Sequence, residues 1–148
     1  MSTDAVAEID EISVEASHQK PPREVCGFLV GRIRGHQYQV LFGLAVMNSA
    51  PIGESNRYEI DSQGYLEAER LLQMRGLSII GIFHSHPGSD AQPSRLDREY
   101  FFPGWVYLIV GLETGGVPEH RAFLRLADDP ATIVEVAVDP YATTDPSN

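Results

Sequence analysis

Two histidines and an aspartate stand in a pattern that suits a metal ion. His84 and His86 end the apolar run Leu77–Phe83, which predicts a buried strand. Alternate residues of a strand point to the same face, so both imidazoles can converge on one ion. Asp97 adds a carboxylate further along the chain. Two histidines and one aspartate make three protein ligands and leave the fourth position of tetrahedral zinc for water, as in a catalytic zinc site.

Each part of this pattern also has a simpler interpretation. A His-x-His pair at a strand end is compatible with one packed and one solvated histidine. Ser94-x-x-Asp97 is typical of a capping box, in which Ser94 accepts a hydrogen bond from the first turn of a helix. The two interpretations of Ser94 and Asp97 are compatible, because a cap at Ser94 would place Asp97 on a rigid first turn facing the imidazoles.

Glu24 is the candidate base. It precedes the segment Val25–Gly31, and a lone glutamate at a strand start is usually just solvated. A metal hydrolase, however, needs a base near the water that the metal activates, whose pKa falls from about 16 toward about 7. A carboxylate that is not a ligand takes the proton and returns it to the leaving group.

Together these residues resemble the JAMM motif of the MPN+ metalloproteases. The resemblance covers about residues 20 to 111. It rests on Glu24 before Cys26-Gly27-x-Leu29-x-Gly31, Asn48-Ser49-Ala50, Arg57-Tyr58-x-Ile60-Asp61, Tyr65-Leu66, His84-x-His86-Pro87, Ser94-x-x-Asp97 and Tyr107-Leu108-Ile109-Val110.

The resemblance implies a role for each motif residue. His84, His86 and Asp97 would bind one zinc ion per chain. Glu24 would be the general acid and base, and Ser94 would steady the attacking water or the oxyanion that forms on the carbonyl. No motif residue is substituted, so the sequence gives no sign of an inactive member.

The resemblance also implies a fold and a substrate. The family fold is a curved mixed β-sheet with helices on both sides, akin to that of the cytidine deaminases. The family hydrolyses the amide bond after the C-terminal Gly-Gly of ubiquitin or ubiquitin-like proteins. This short chain resembles the stand-alone bacterial members tied to small ubiquitin-like sulfur carriers. A narrow channel beside the loop Gly53–Asn56 and a strand from Arg57 is the predicted edge for such a tail.

The order of elements independently predicts an α/β or α+β sheet flanked by helices. The predicted elements are a helix over 6–19, strands over 25–33 and 37–47, a helix over 62–75, a strand over 77–86, a short helix from Ser94, and strands over 105–111, 121–126 and 132–138. Residues 1–140 are expected to form a single domain, and residues 141–148 a polar tail.

Composition narrows the classes of partner. The formal net charge of −10 disfavours nucleic acid as a ligand and a metallonuclease as a function. No apolar run approaches a membrane span, and the N-terminus is not that of a signal peptide, so the expected location is the cytoplasm. The one cysteine, Cys26, excludes an internal disulfide and a cysteine-rich zinc site, and is expected to be a buried thiol.

Two other functions compete with that of a hydrolase. A zinc nucleobase deaminase needs a Pro-Cys-x-x-Cys element, which a chain with one cysteine does not supply. A non-catalytic MPN scaffold is the alternative that remains, since such domains also occur as binding modules. Those modules usually lack part of the metal set that this chain keeps.

Overall fold

A computed structural model describes residues 1–51, 57–113 and 117–141 of the chain. The predicted loop Gly53–Asn56 and residues 142–148 of the predicted tail lie outside this description. The elements are α1 (Thr3–Ser17), β1 (Cys26–Arg34), β2 (Gln37–Val46), α2 (Ser62–Gln73), β3 (Ser78–Pro87), α3 (Arg95–Tyr100), β4 (Val106–Leu112), β5 (Glu119–Arg125), one turn of 3-10 helix (Pro130–Thr132) and β6 (Ile133–Val136).

The strands form one mixed sheet in the order β2-β1-β3-β4-β5-β6. The β3–β4 pair is parallel, and the other neighbouring strands pair antiparallel. β3 therefore lies inside the sheet, with β1 on one side and β4 on the other. The predicted mixed sheet flanked by helices is confirmed.

Alternating apolar side chains build a core on each face of the sheet. Leu29 of β1 packs in the cluster that contains Ile9 of α1. Its neighbours Phe28 and Val30 pack in the opposite cluster, together with Leu72 of α2. This period of two explains why helices cover both faces.

Side-chain caps set the ends of the first two helices. α1 begins at Thr3 and not at residue 6, because the Ser2 hydroxyl accepts a hydrogen bond from the Ala5 amide at 3.1 Å. Asp61 caps α2 by accepting a hydrogen bond from the Gly64 amide at 3.3 Å. The chain leaves α2 at Gly76, whose φ of +66° suits glycine.

The expected strand from Arg57 is not part of the sheet. Residues 57–60 are instead tied to the end of β2 by one main-chain bond, from the Ser49 amide to the Glu59 carbonyl at 2.9 Å. The Asn48 side chain takes the place of a second ladder bond by accepting from the Glu59 amide at 3.1 Å. A side chain thus holds in place the segment that was expected to be the edge strand for a bound tail.

The first residues of the chain lie beside Tyr141 at the edge of the sheet formed by β2. Tyr141, which the sequence places in the tail, forms a bridge with Ser2, and its amide donates to the Met1 carbonyl at 2.9 Å. β6 ends at Val136, before the predicted limit at residue 138. No helix in the described ranges has the length and apolarity needed to cross a membrane.

Candidate metal centre

The structure brings His84, His86 and Asp97 together in the part of the chain that it describes. The two Nε2 atoms lie 3.1 Å apart. Asp97 Oδ1 is 3.2 Å from His84 Nε2, and Asp97 Oδ2 is 3.4 Å from His86 Nε2. All three residues are buried. Three potential ligand atoms therefore converge on one point at the end of β3.

The spacing of these atoms fits a small tetrahedral ion. Nitrogen and oxygen ligands lie about 2.0–2.2 Å from zinc, so two ligands of a tetrahedron are about 3.3–3.6 Å apart. The 3.1 Å between the two Nε2 atoms and the 3.2 and 3.4 Å from these atoms to the two oxygens of Asp97 are close to that value, and one ligand atom from each residue lies within 4.8 Å of the others. The site therefore fits a metal ion without rearrangement of β3 or α3.

A backbone carbonyl orients the ring of His86. The Nδ1 atom of His86 lies 3.1 Å from the Asp90 carbonyl oxygen. Because a carbonyl oxygen only accepts hydrogen bonds, this contact requires a hydrogen on Nδ1. The Nε2 atom then keeps its lone pair for a metal, as second-shell bonds do at many histidine sites. Gly111 of β4 makes room for this loop, because a Cβ there would lie 2.5 Å from the Ala91 nitrogen and 2.6 Å from the Asp90 carbonyl carbon.

Stacking and burial hold the ring of His84. Its exposed fraction is 0%, and the ring of Tyr58 stacks on it with centroids 4.6 Å apart and planes at 28°. Burial lowers the pKa of His84, against the pull of Asp97, so the neutral ring is favoured. Its Nδ1 atom has no hydrogen-bond partner within the described residues.

Asp97 is fixed by the capping box at the start of α3. Its Oδ2 accepts from the Ser94 amide at 2.7 Å, and its own amide donates to the Ser94 hydroxyl oxygen at 3.1 Å. Burial disfavours the charge, but hydrogen bonds with His84 and His86 outweigh burial and hold the pKa of Asp97 well below its usual value. Capping and metal ligation are thus compatible here, as expected from the sequence.

Glu24 lies in the same pocket without belonging to the ligand cluster. The pocket has a volume of about 370 Å³, and Glu24, Ser94 and Asp97 all line it. Burial raises the pKa of Glu24 to about 7, a change that His86 opposes and Asp97 reinforces. Proton transfer is most effective when the pKa of the base is near the working pH.

Two side chains fix the backbone around Glu24. The Ser85 hydroxyl, between the two histidines, accepts from the Val25 amide at 3.0 Å, and the Ser85 amide donates to the Val25 carbonyl at 2.9 Å. The Asn48 amide group donates to the Glu24 carbonyl at 3.0 Å. Glu24 is therefore tied to β3 on one side and to the end of β2 on the other.

Asn48 uses its whole hydrogen-bonding capacity. Besides the Glu24 carbonyl, its amide group donates to the Arg57 carbonyl at 3.0 Å. Its oxygen accepts from the Ala50 amide at 2.9 Å and from the Glu59 amide at 3.1 Å. One side chain thus joins the base and the segment that carries Tyr58.

Ser94 lies at the pocket wall and caps α3. Its oxygen accepts from the Asp97 amide, and its side chain also hydrogen-bonds to the Asp97 carboxyl group, which lowers the pKa of that carboxyl. A serine hydroxyl carries one donor and two acceptor lone pairs. The Ser94 hydroxyl can therefore donate to a bound group by turning away from the Asp97 carboxyl, while its oxygen still caps α3.

The chain is similar to known proteins over the region that contains these site residues. Residues 7–126 match the family described as prokaryotic homologs of the JAB domain. The chain belongs to this family. The JAB match spans α1 to β5 and contains all five residues assembled above.

Individual JAB relatives agree with this placement. The chain is 32% identical over 110 residues to the desampylase of Haloferax volcanii, a match that covers 74% of this chain and 77% of that protein. It is 32% identical over 106 residues to a probable TtuB-protein conjugate cleaving protease of Thermus thermophilus, covering 72% and 64%. A solution structure from Desulfitobacterium hafniense superposes with a TM-score of 0.79 at 26% identity, over 95% of this chain and 91% of that one.

Sequence reasoning missed the supporting residues of this JAB site. Asn48 and Tyr58 stand in segments that carry the family resemblance, but the sequence predicts no role for them or for Ser85, Asp90 and Gly111. Asn48 had a local signal, since an asparagine before a Ser-Ala-Pro turn often bonds to the backbone two residues on. The contact between Tyr58 and His84 had none, because it joins residues far apart in the chain.

Proposed function

We propose that this chain is a zinc-dependent isopeptidase, whose catalytic domain is residues 1–140. It would hydrolyse the amide bond after the C-terminal Gly-Gly of a ubiquitin-like protein. The observation that carries the proposal is a buried cluster suited to a metal, His84, His86 and Asp97, whose Asp97 lines a pocket together with the separate buried carboxyl group of Glu24 and the hydroxyl of Ser94. Relatives named desampylase and TtuB-protein conjugate cleaving protease support the reaction and the substrate class.

The ligand set supports zinc as the ion. His84, His86 and Asp97 would supply two nitrogens and one oxygen, as in catalytic zinc sites with three protein ligands. When bound, the ion polarises a carbonyl oxygen and acidifies water, which makes a nucleophile available at neutral pH. The bonds of His86 to Asp90 and of Asp97 to Ser94 would keep the ligand atoms in position.

Glu24 and Ser94 would divide the remaining work. Glu24, with a pKa near 7, would accept a proton from the attacking water and donate it to the leaving amine. The hydroxyl of Ser94 would turn from the Asp97 carboxyl group and donate to the carbonyl oxygen as negative charge develops there. The burial of both the base and the ligands strengthens these interactions by excluding water.

The segment 57–60 supports binding of an extended tail. The main-chain groups of Glu59 bond inward to Asn48 and Ser49, so those of the flanking Tyr58 and Ile60 point the other way. Neither residue's main chain bonds to another described residue. A peptide could add there by main-chain hydrogen bonds, and glycine lets its backbone approach closely.

Cleavage of a defined conjugate tests the proposal. The substrate is a small ubiquitin-like carrier that ends in Gly-Gly and is joined to the lysine side chain of a fluorescent peptide. We expect the zinc-loaded protein to release the peptide, a chelator to stop the release, and added zinc to restore it. A carrier whose last glycine is replaced by valine should not be cleaved.

The same assay separates the enzyme from the scaffold. A protein that binds the Gly-Gly conjugate but leaves it intact with zinc present would favour a non-catalytic scaffold. Equal turnover of the glycine and valine carriers would contradict the narrow tail channel while leaving the metal chemistry intact.

A further inference from the structure

Tyr58 connects the metal cluster to the open pocket. Its ring stacks on His84, and the residue lines the same pocket as Glu24 and Ser94. The residues on both sides of it are bonded to Asn48 through the Arg57 carbonyl and the Glu59 amide. Tyr58 is therefore held at a defined place in the pocket wall.

The hydroxyl of Tyr58 differs from those of the other packed tyrosines. Buried tyrosine hydroxyls usually find a hydrogen-bond partner. The other packed tyrosine hydroxyls follow this rule, with Tyr38 donating to the Gly104 carbonyl, Tyr65 to Glu69, Tyr141 to the Val40 carbonyl, and Tyr107 accepting from the Phe102 amide. The Tyr58 hydroxyl bonds to no described residue, and because it is not among the buried unpartnered atoms it is open to a group that enters the pocket.

The charges around this hydroxyl indicate the kind of group that it would meet. The pocket wall already carries the carboxyl groups of Glu24 and Asp97. These groups disfavour an anion, whereas a neutral carbonyl oxygen suits a phenol O–H, which stays protonated at neutral pH. An extended peptide without side chains presents such carbonyls along its backbone.

We propose that the Tyr58 hydroxyl donates a hydrogen bond to a main-chain carbonyl of the bound Gly-Gly tail, while its ring holds His84 in place. This inference rests on the proposed isopeptidase function and adds a substrate-contacting residue to it. The ring and the hydroxyl have separable roles. Tyr58→Phe removes the hydroxyl alone, and Tyr58→Leu removes the stacked ring as well.

Binding without turnover tests the hydroxyl. The full chain carrying Glu24→Gln and loaded with zinc is titrated with the Gly-Gly isopeptide conjugate, and affinity is followed by fluorescence anisotropy. Adding Tyr58→Phe should weaken binding about 3- to 10-fold, the effect of one neutral hydrogen bond. Zinc content and melting temperature should stay unchanged. The matched control is Tyr38→Phe, whose hydroxyl donates to Gly104 outside this pocket and which should leave binding unaltered.

Zinc affinity tests the ring. In competition with a chromophoric chelator, Tyr58→Leu should bind zinc more weakly than the parent, and Tyr58→Phe should match the parent. Equal conjugate affinity of Tyr58→Phe and the parent would overturn the contact with the tail, and equal zinc affinity of Tyr58→Leu would overturn the role of the ring. Failure of the proposed function has a different signature, in which the parent does not bind the conjugate and the wild type does not cleave it.

Discussion

The centre has two halves, the three metal ligands and the candidate base Glu24, and these are held in place by different means. His84 and His86 lie on β3, which is hydrogen-bonded on both sides, to β1 at Cys26 and to β4 throughout this stretch. Glu24 lies just before β1 begins. Its carbonyl is held by the Asn48 side chain, and its neighbour Val25 bonds to the hydroxyl and the amide of Ser85. The two histidines thus rest on the sheet and Asp97 on the capping box of α3, whereas the position of the base depends in part on the Asn48 side chain. Single substitutions should therefore separate metal binding from catalysis.

Loss of a strand ligand should have the largest effect. In His84→Ala the cluster keeps only two of its three ligand residues, so we expect the protein to lose both stoichiometric zinc and measurable cleavage. Elemental analysis of the purified protein and the conjugate assay check this. His36→Ala is the control, because His36 is exposed in the β1–β2 turn. Equal zinc content in His84→Ala and the wild type would refute the ligand assignment.

Loss of the Asn48 side chain should affect the base Glu24 and leave the metal ligands in place. Asn48→Ala removes the bonds to the Glu24 and Arg57 carbonyls, so the base and the tail segment can shift relative to the metal. A displacement of about 1 Å lowers turnover by roughly 10²-fold, and we expect a loss of up to that size with zinc content retained. Steady-state kinetics with zinc analysis on the same sample measures both.

Two further variants sharpen the role of Asn48. Asn48→Asp keeps an acceptor for the Ala50 and Glu59 amides but places an oxygen against the two carbonyls, so it should be as impaired as Asn48→Ala. Ser49→Ala changes an exposed neighbour and should behave as the wild type. If Asn48→Ala lost zinc and turnover in proportion, the two halves would not be independent.

A smaller effect is expected at Gly111. An added Cβ would collide with the backbone of Asp90 and Ala91, which must shift, and the Asp90 carbonyl would then bond less well to His86. Second-shell losses of this kind weaken metal binding by about tenfold or more. Gly111→Ala should therefore raise the zinc dissociation constant about tenfold, with turnover near normal at saturating zinc. The control is Gly64→Ala, where an added Cβ meets no atom within 4 Å.

The sequence predicted the parts of the site that depend on local geometry. The period of two in a strand places His84 and His86 on one face, and the Ser-x-x-Asp pattern predicts the cap that positions Asp97. Both inferences need only neighbours within a few residues. The order of hairpins and crossovers predicts an α/β or α+β sheet, and that this sheet is mixed is what the resemblance to the JAMM family implies.

The parts that were missed depend on contacts between distant segments. Nothing near Tyr58 indicates that its ring stacks on His84, and nothing near Gly111 indicates that the Asp90 loop packs over it. The strand expected from Arg57 is absent from the sheet for the same reason, because a bond to the Asn48 side chain takes the place of a backbone ladder there. The early start of α1 at Thr3 was different, because the Ser2 cap was visible in the sequence.

The most direct test of the division between ligands and base is Glu24→Gln. Its zinc dissociation constant and its turnover of the Gly-Gly conjugate should be measured on the same preparation as the wild type. Because Glu24 is a base and not a ligand in this account, zinc affinity should be close to that of the wild type. Turnover should fall by roughly 10²–10⁴-fold. A protein that cleaves at nearly the wild-type rate, or one that no longer holds zinc, would contradict it.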